Sequence, residues 1–145
     1  MTRCGIAART TLVVAVAMSA ACGASTTEVF SLEVGDCFED PPSTQAQVAE
    51  VTIVDCDDPH DQQVYSVFEI DEAGFPGQEQ IDQRARQGCV DRFEDYVGVS
   101  YADSELFATW LYPTEVSWDA GDREVVCVLF LEDDQLVGAQ RGVER

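Results

Sequence analysis

Six cysteines, one histidine and two tryptophans carry the distinctive chemistry of this chain. Cys4, Cys22, Cys37, Cys56, Cys89 and Cys127 can pair as disulfides, bind metal or carry lipid. No CxxC pair occurs, so the spacing of a zinc site or of a thiol–disulfide redox centre is missing. His60 stands in Cys56-Asp57-Asp58-Pro59-His60-Asp61, a turn sequence with acids on both sides. Neighbouring carboxylates favour a charged imidazole. His60 then has three readings: a backbone hydrogen bond that fixes the turn, recognition on an exposed turn, or a metal site with Asp57, Asp58 or Asp61. The spacing is not that of a twelve-residue Ca²⁺ loop, which needs Gly at its sixth position and a closing Glu.

The second group is Trp118-Asp119-Ala120-Gly121-Asp122-Arg123. Trp118 either covers a core edge or, exposed beside Arg123, offers a platform to a sugar or peptide. Arg123 is expected to pair with a carboxylate such as Asp122 or Asp36. The candidate binding residues are therefore Asp57, His60, Trp118, Asp122 and Arg123. No Gly-x-Ser-x-Gly elbow and no Gly-rich phosphate loop occurs. Among 28 acids no carboxylate pair stands out for glycoside hydrolysis. No catalytic residue, metal or cofactor is assigned, and a non-enzymatic domain is expected.

Charge and the first residues say where these groups sit. The 145 residues hold 28 acids against 8 arginines and no lysine, a net charge of −20. Nucleic-acid binding through a basic patch is thereby excluded. At 46% apolar residues the chain can bury a core. Met1–Ala21 has Arg3 and Arg9, no acid and an apolar run, Thr11–Met18. This is the form of a secretory signal, and the run is too short to span a membrane. Ser19-Ala20-Ala21-Cys22 resembles the lipobox of bacterial lipoproteins, in which cleavage precedes a cysteine that receives diacylglycerol. Ordinary secretion is the alternative. On the lipobox reading, residues 1–21 are expected to be a lipoprotein signal peptide, Cys22 the lipidation residue and 22–29 a flexible tether. Cleavage leaves 6 arginines against 28 acids, a net charge of −22.

With Cys4 removed and Cys22 lipidated, four cysteines remain in an exported chain. They make two disulfides with three possible connectivities. Cys37–Cys56 and Cys89–Cys127 are favoured, worth about 3 and about 4 kcal/mol by loop entropy.

These residues need elements to hold them. Val29–Leu32 and 48–54 read as strands, and Gln63–Ile70 as another, so 48–70 reads as a hairpin with a wide loop. Ile81, Ala85, Cys89 and Phe93 recur every four residues, with Val90, Tyr96 and Val97 beside them, predicting one helix over 78–97. Asp82 and Arg86 have the spacing of a helical ion pair. Leu106–Tyr112 and Glu124–Leu131 are apolar strands, the second covered on both faces. Leu136–Ala139 is a candidate edge strand. The expected fold is α+β: an antiparallel sheet with one long helix packed on a face and two disulfides, the folded domain spanning 30–141.

Gly35-Asp36-Cys37, Cys56-Asp57-Asp58-Pro59-His60 and Trp118-Asp-Ala-Gly-Asp-Arg123 leading to Cys127 together resemble the septum formation domain, over about residues 30–131. That domain occurs in exported and membrane-attached proteins of high-GC Gram-positive bacteria. Members often carry an acid three residues after the histidine, where this chain has Gln63. The resemblance implies an envelope protein of division or wall assembly, and it adds no catalytic residue. The expected function is a non-catalytic interaction module on the outer face of the cell membrane, held by its lipid anchor. Its expected partner is an envelope or division protein or a wall component, with no nucleic acid. A wall-acting acidic enzyme and a divalent-cation module centred on 55–61 are the alternatives.

Overall fold

The computed structural model describes residues 25–28, 31–40 and 50–145 of the chain. The expected signal segment 1–21, Cys22 and residues 41–49 lie outside them.

The four-residue stripe winds into α1 (Gln78–Val97), and Ile81, Ala85, Cys89, Phe93, Tyr96 and Val97 are its buried side. Gly98 ends it in the left-handed region (φ 96°), its N–H bonding the Glu94 carbonyl. The helix lies on an antiparallel sheet of β1 (Ser25–Glu28), β2 (Cys37–Glu39), β3 (Glu50–Val54), β4 (Gln62–Glu69), β5 (Phe107–Leu111) and β6 (Glu124–Phe130). Their order is β1-β3-β2-β4-β6-β5. The α+β class, the long helix and both favoured disulfides are as expected.

Strand alternation divides the core. Val125, Cys127 and Leu129 of β6 meet the α1 stripe, while Val126 and Val128 face a second cluster with Leu32, Phe38, Val51 and Val64. Burial of 125–129 on both faces matches the unbroken apolar run of β6. A bulge between Val64 and Ser66 changes the β4 register. Tyr65 there turns to the helix and donates its hydroxyl to the Cys89 carbonyl at 2.7 Å. Burial raises the ionisation of that phenol far above its ordinary value.

Several expectations are corrected. β3 and β4 do not form a hairpin, because β2 pairs antiparallel with both and lies between them. Residues 25–28, expected within the flexible tether, pair with β3 as an edge strand. Ser31 and Leu32 are not in a strand. The 113–123 connection contains a short helix, α2 (Glu115–Asp119), closed by a Thr114–Ser117 capping box. Leu136–Ala139 contributes only one bridging residue, Leu136, opposite His60. Asp82 accepts a hydrogen bond from Trp110 Nε1 (2.8 Å) instead of pairing with Arg86. The ion pair among the described residues is Arg84 with Glu72. Folded contacts continue past residue 141: the N–H groups of Gly142 and Glu144 bond the carbonyls of Tyr96 and Val97.

Candidate functional site

The two predicted groups lie at opposite ends of one strand pair. In the β4–β6 ladder Gln62 faces Phe130 and Glu69 faces Glu124. His60 precedes the first end, and Asp122 and Arg123 adjoin the second. From Gln62 to Glu69 the eight residues of β4 make seven steps of ~3.4 Å, so the two ends stand roughly 24 Å apart. The structure brings Asp57 and His60 onto one turn and Trp118, Asp122 and Arg123 into one loop, and does not join the two.

The Asp-rich sequence of the first turn folds on itself. Asp55 Oδ1 accepts the Asp57 N–H (3.0 Å), and the Asp55 carbonyl accepts that of Asp58. Asp57 remains exposed, whereas His60 is fully buried. Its Nδ1 lies 2.8 Å from the Asp58 carbonyl. A carbonyl only accepts, so the hydrogen-bond pattern assigns the proton to Nδ1. Nε2 is buried without a partner among the described residues. His60 also exchanges both backbone hydrogen bonds with Leu136, at 3.0 and 2.8 Å. It therefore fixes the turn and ties down the C-terminal segment, and it presents no surface to a partner.

The second group is also an internal fastening. Trp118 is 3% exposed, packed edge-to-face on Phe75. The Arg123 guanidinium stacks 3.7 Å from the Trp118 ring and donates to the carbonyls of Trp118 and Asp122, both at 2.7 Å. The expected exposed platform is not formed, and Arg123 takes carbonyls and a π-face in place of a carboxylate. Asp122 Oδ1 accepts the Glu124 N–H, and its Oδ2 is buried without a partner among the described residues. Glu124 stands beside Asp122 and opposite Glu69 on β4; partial burial, then these two charges, raise its carboxyl above the usual range.

A hollow of about 330 Å³ opens next to the His60 turn. Asp40, Asp61, Asp133 and Asp134 line it, with Gln62, Gln135, Phe130 and Leu131. Asp61 organises it: one carboxylate oxygen accepts the Asp40 N–H and the other accepts from Gln135 Nε2, both at 2.9 Å. Gln62 donates to Asp40. Desolvation and the Asp61 charge push the Asp40 carboxyl up, and the Gln62 hydrogen bond opposes them. Four acids thus line it beside two apolar side chains, Phe130 and Leu131. Among the described residues no three His, Cys, Asp or Glu side chains are arranged to hold a metal ion, so the cation-module reading gains no ligand set here.

Asp61 lies in the His60 turn, whereas Asp40, Asp133 and Asp134 stand in no motif that the sequence marks. Their signal was weak, because Asp-Asp pairs are common in so acidic a chain and only the β4–β6 register sets 133–135 beside 61. Gln63, where the resemblance leads one to expect an acid, is fully buried. Its Oε1 accepts the Gln140 N–H (2.7 Å), and its Nε2 donates to the Gly35 carbonyl (3.4 Å). An ionised carboxylate at this position could accept the first bond but could not donate the second.

Among the described residues no helix is long and apolar enough to cross a membrane. A model of a family described as septum formation matches residues 1–127. No curated protein and no solved structure matches the chain.

Proposed function

The chain belongs to the septum formation family, and on that premise we propose that it is a cell-envelope lipoprotein whose domain is a non-catalytic interaction module in division or wall assembly. The apolar leader and Ser19-Ala20-Ala21-Cys22 support export and a diacylglycerol anchor at Cys22 on the outer face of the membrane. Two disulfides agree with an oxidising compartment.

The observation that carries the interaction reading is the acid-lined hollow. His60 and Trp118 are buried, so recognition moves to the neighbouring surface of Asp40, Asp61, Asp133, Asp134 and Gln135. A division protein or wall component offering a cationic group would be drawn there by the acids and held by Phe130 and Leu131.

The test places a photo-crosslinking residue at Gln135 in the full-length chain in dividing cells. A discrete adduct with a division or wall-synthesis component, lost in Asp133→Asn/Asp134→Asn, is expected. The same adducts in both chains would overturn the hollow as the site. Anchoring is checked separately: a labelled fatty acid should enter the chain and be absent from Cys22→Ser.

A further inference from the structure

The two disulfides differ in access. Cys89 and Cys127 join α1 to β6, and both are fully buried. Cys37 is buried too, but its partner Cys56 is partly exposed at the start of the Asp-rich turn. Thiol–disulfide exchange requires a thiolate to reach a sulfur, so an exposed disulfide is labile where a sealed one is not.

The surroundings of Cys37–Cys56 also suit its reduced form. The Gly35 carbonyl lies 3.3 Å from Cys56 Sγ and 3.7 Å from Cys37 Sγ. A disulfide sulfur has no proton to give that carbonyl, whereas each thiol has one. The Gly35 N–H bonds the Val64 carbonyl and the Val64 N–H bonds the Asp36 carbonyl, which fixes the acceptor on β4 independently of the disulfide. Gln63 Nε2 stands 3.8 Å from Cys56 Sγ and can donate to a thiolate there. The acid that the family resemblance leads one to expect at 63 would repel it.

The turn tethered by this disulfide also carries the C-terminal segment. The Gly138 N–H donates to the carbonyl of Cys56 itself (2.7 Å), Leu136 exchanges two bonds with His60, and Gln135 Nε2 donates to Asp61. Gln135, with Asp133 and Asp134, lines one side of the hollow.

We propose that Cys37–Cys56 is a redox switch: a dithiol reductant opens it in the folded domain while Cys89–Cys127 stays closed, and the segment carrying Gln135, Leu136 and Gly138 comes loose from the turn. One thiolate of the reductant attacks Cys56 Sγ, the S–S bond breaks, and its electron pair leaves on Cys37 Sγ. The second thiolate of the reductant attacks the mixed disulfide and releases Cys56. The reductant departs as its own disulfide, having passed two electrons to the cysteines, which take up two protons. The release is a property of the segment and is read with no partner present.

The experiment holds the full-length chain, exported and oxidised, in native buffer with graded dithiothreitol. Free thiols are then blocked with a maleimide and mapped by peptide mass. Cys37 and Cys56 should be labelled at a reductant concentration roughly tenfold or more below that needed for Cys89 and Cys127. In the chain with only the first pair open, the Leu136 and Gly138 amides should exchange roughly tenfold faster, with the β6 amides unchanged. Cys37→Ser/Cys56→Ser should show the same fast amides without reductant. Simultaneous labelling of both pairs, or a Leu136 amide as slow after reduction as before, would overturn the proposal. Loss of β6 protection on opening Cys37–Cys56 would overturn it equally, because the bond would then hold the whole fold and not the segment alone.

Discussion

The ring of Phe68 occupies the space where Gly88 lacks a side chain: a Cβ built on Gly88 would stand 2.3 Å from the ring tip. The Arg92 guanidinium lies 4.3 Å from the centre of the same ring. A glycine in mid-helix costs about 1 kcal/mol relative to alanine. Here that cost lets α1 approach β4 closely.

Gly88→Ala is therefore expected to destabilise the domain by about 1–2 kcal/mol despite its better helix propensity, because Phe68 must swing out and lose Arg92. Denaturant midpoints measure this. A gain of stability would show that the ring moves freely and the close approach is unimportant.

Glu124 makes a pH prediction. Its folded carboxyl titrates above the ordinary 4.5, from partial burial and then the charges of Asp122 and Glu69. A raised group contributes stability that is complete below its unfolded value and lost as pH rises through the folded one. The melting temperature should fall as pH rises above about 4.5, and Glu124→Gln should flatten that slope and raise stability near neutrality. An unchanged slope in Glu124→Gln would sink the assignment.

His60→Ala and Trp118→Ala are expected to weaken folding. Trp118→Ala empties a packed site beneath Arg123, at about 3–5 kcal/mol. His60→Ala loses the bond to the Asp58 carbonyl and the packing under Leu136, at about 2 kcal/mol. Thermal melts and protection of the Leu136 amide from exchange read both effects. Melting temperatures equal to the parent chain would return these residues to the list of surface contacts.

Gln63→Glu isolates the amide's role. The carboxylate keeps the bond from the Gln140 N–H but loses the donor and repels the Gly35 carbonyl in a buried site. A loss of about 2–3 kcal/mol is expected, with faster exchange of the Gln140 amide. No loss would mean that the loop carrying Gly35 moves to accommodate the acid.

Local pattern alone specified the most regular parts of this protein. The stripe Ile81, Ala85, Cys89 and Phe93 marked α1, and the unbroken run 125–129 marked a strand covered on both faces. An even number of cysteines in a chain read as exported pointed to two disulfides, and the favoured pairs Cys37–Cys56 and Cys89–Cys127 are the ones formed. The residues from Met1 to Cys22 carry their export reading as composition. Strand order was not readable in this way. A backbone ladder has the same donors and acceptors whatever the side chains, so nothing in 48–70 announced that β2 would enter between β3 and β4. Tertiary structure also decided which polar residues are surface. His60 and Trp118 have the types of a recognition site, yet the return of Leu136 over one and the stacking of Arg123 on the other bury them. The same β4–β6 register sets Asp133 and Asp134 beside Asp61, 72 and 73 positions away in the chain, and so makes a hollow that no local spacing encodes.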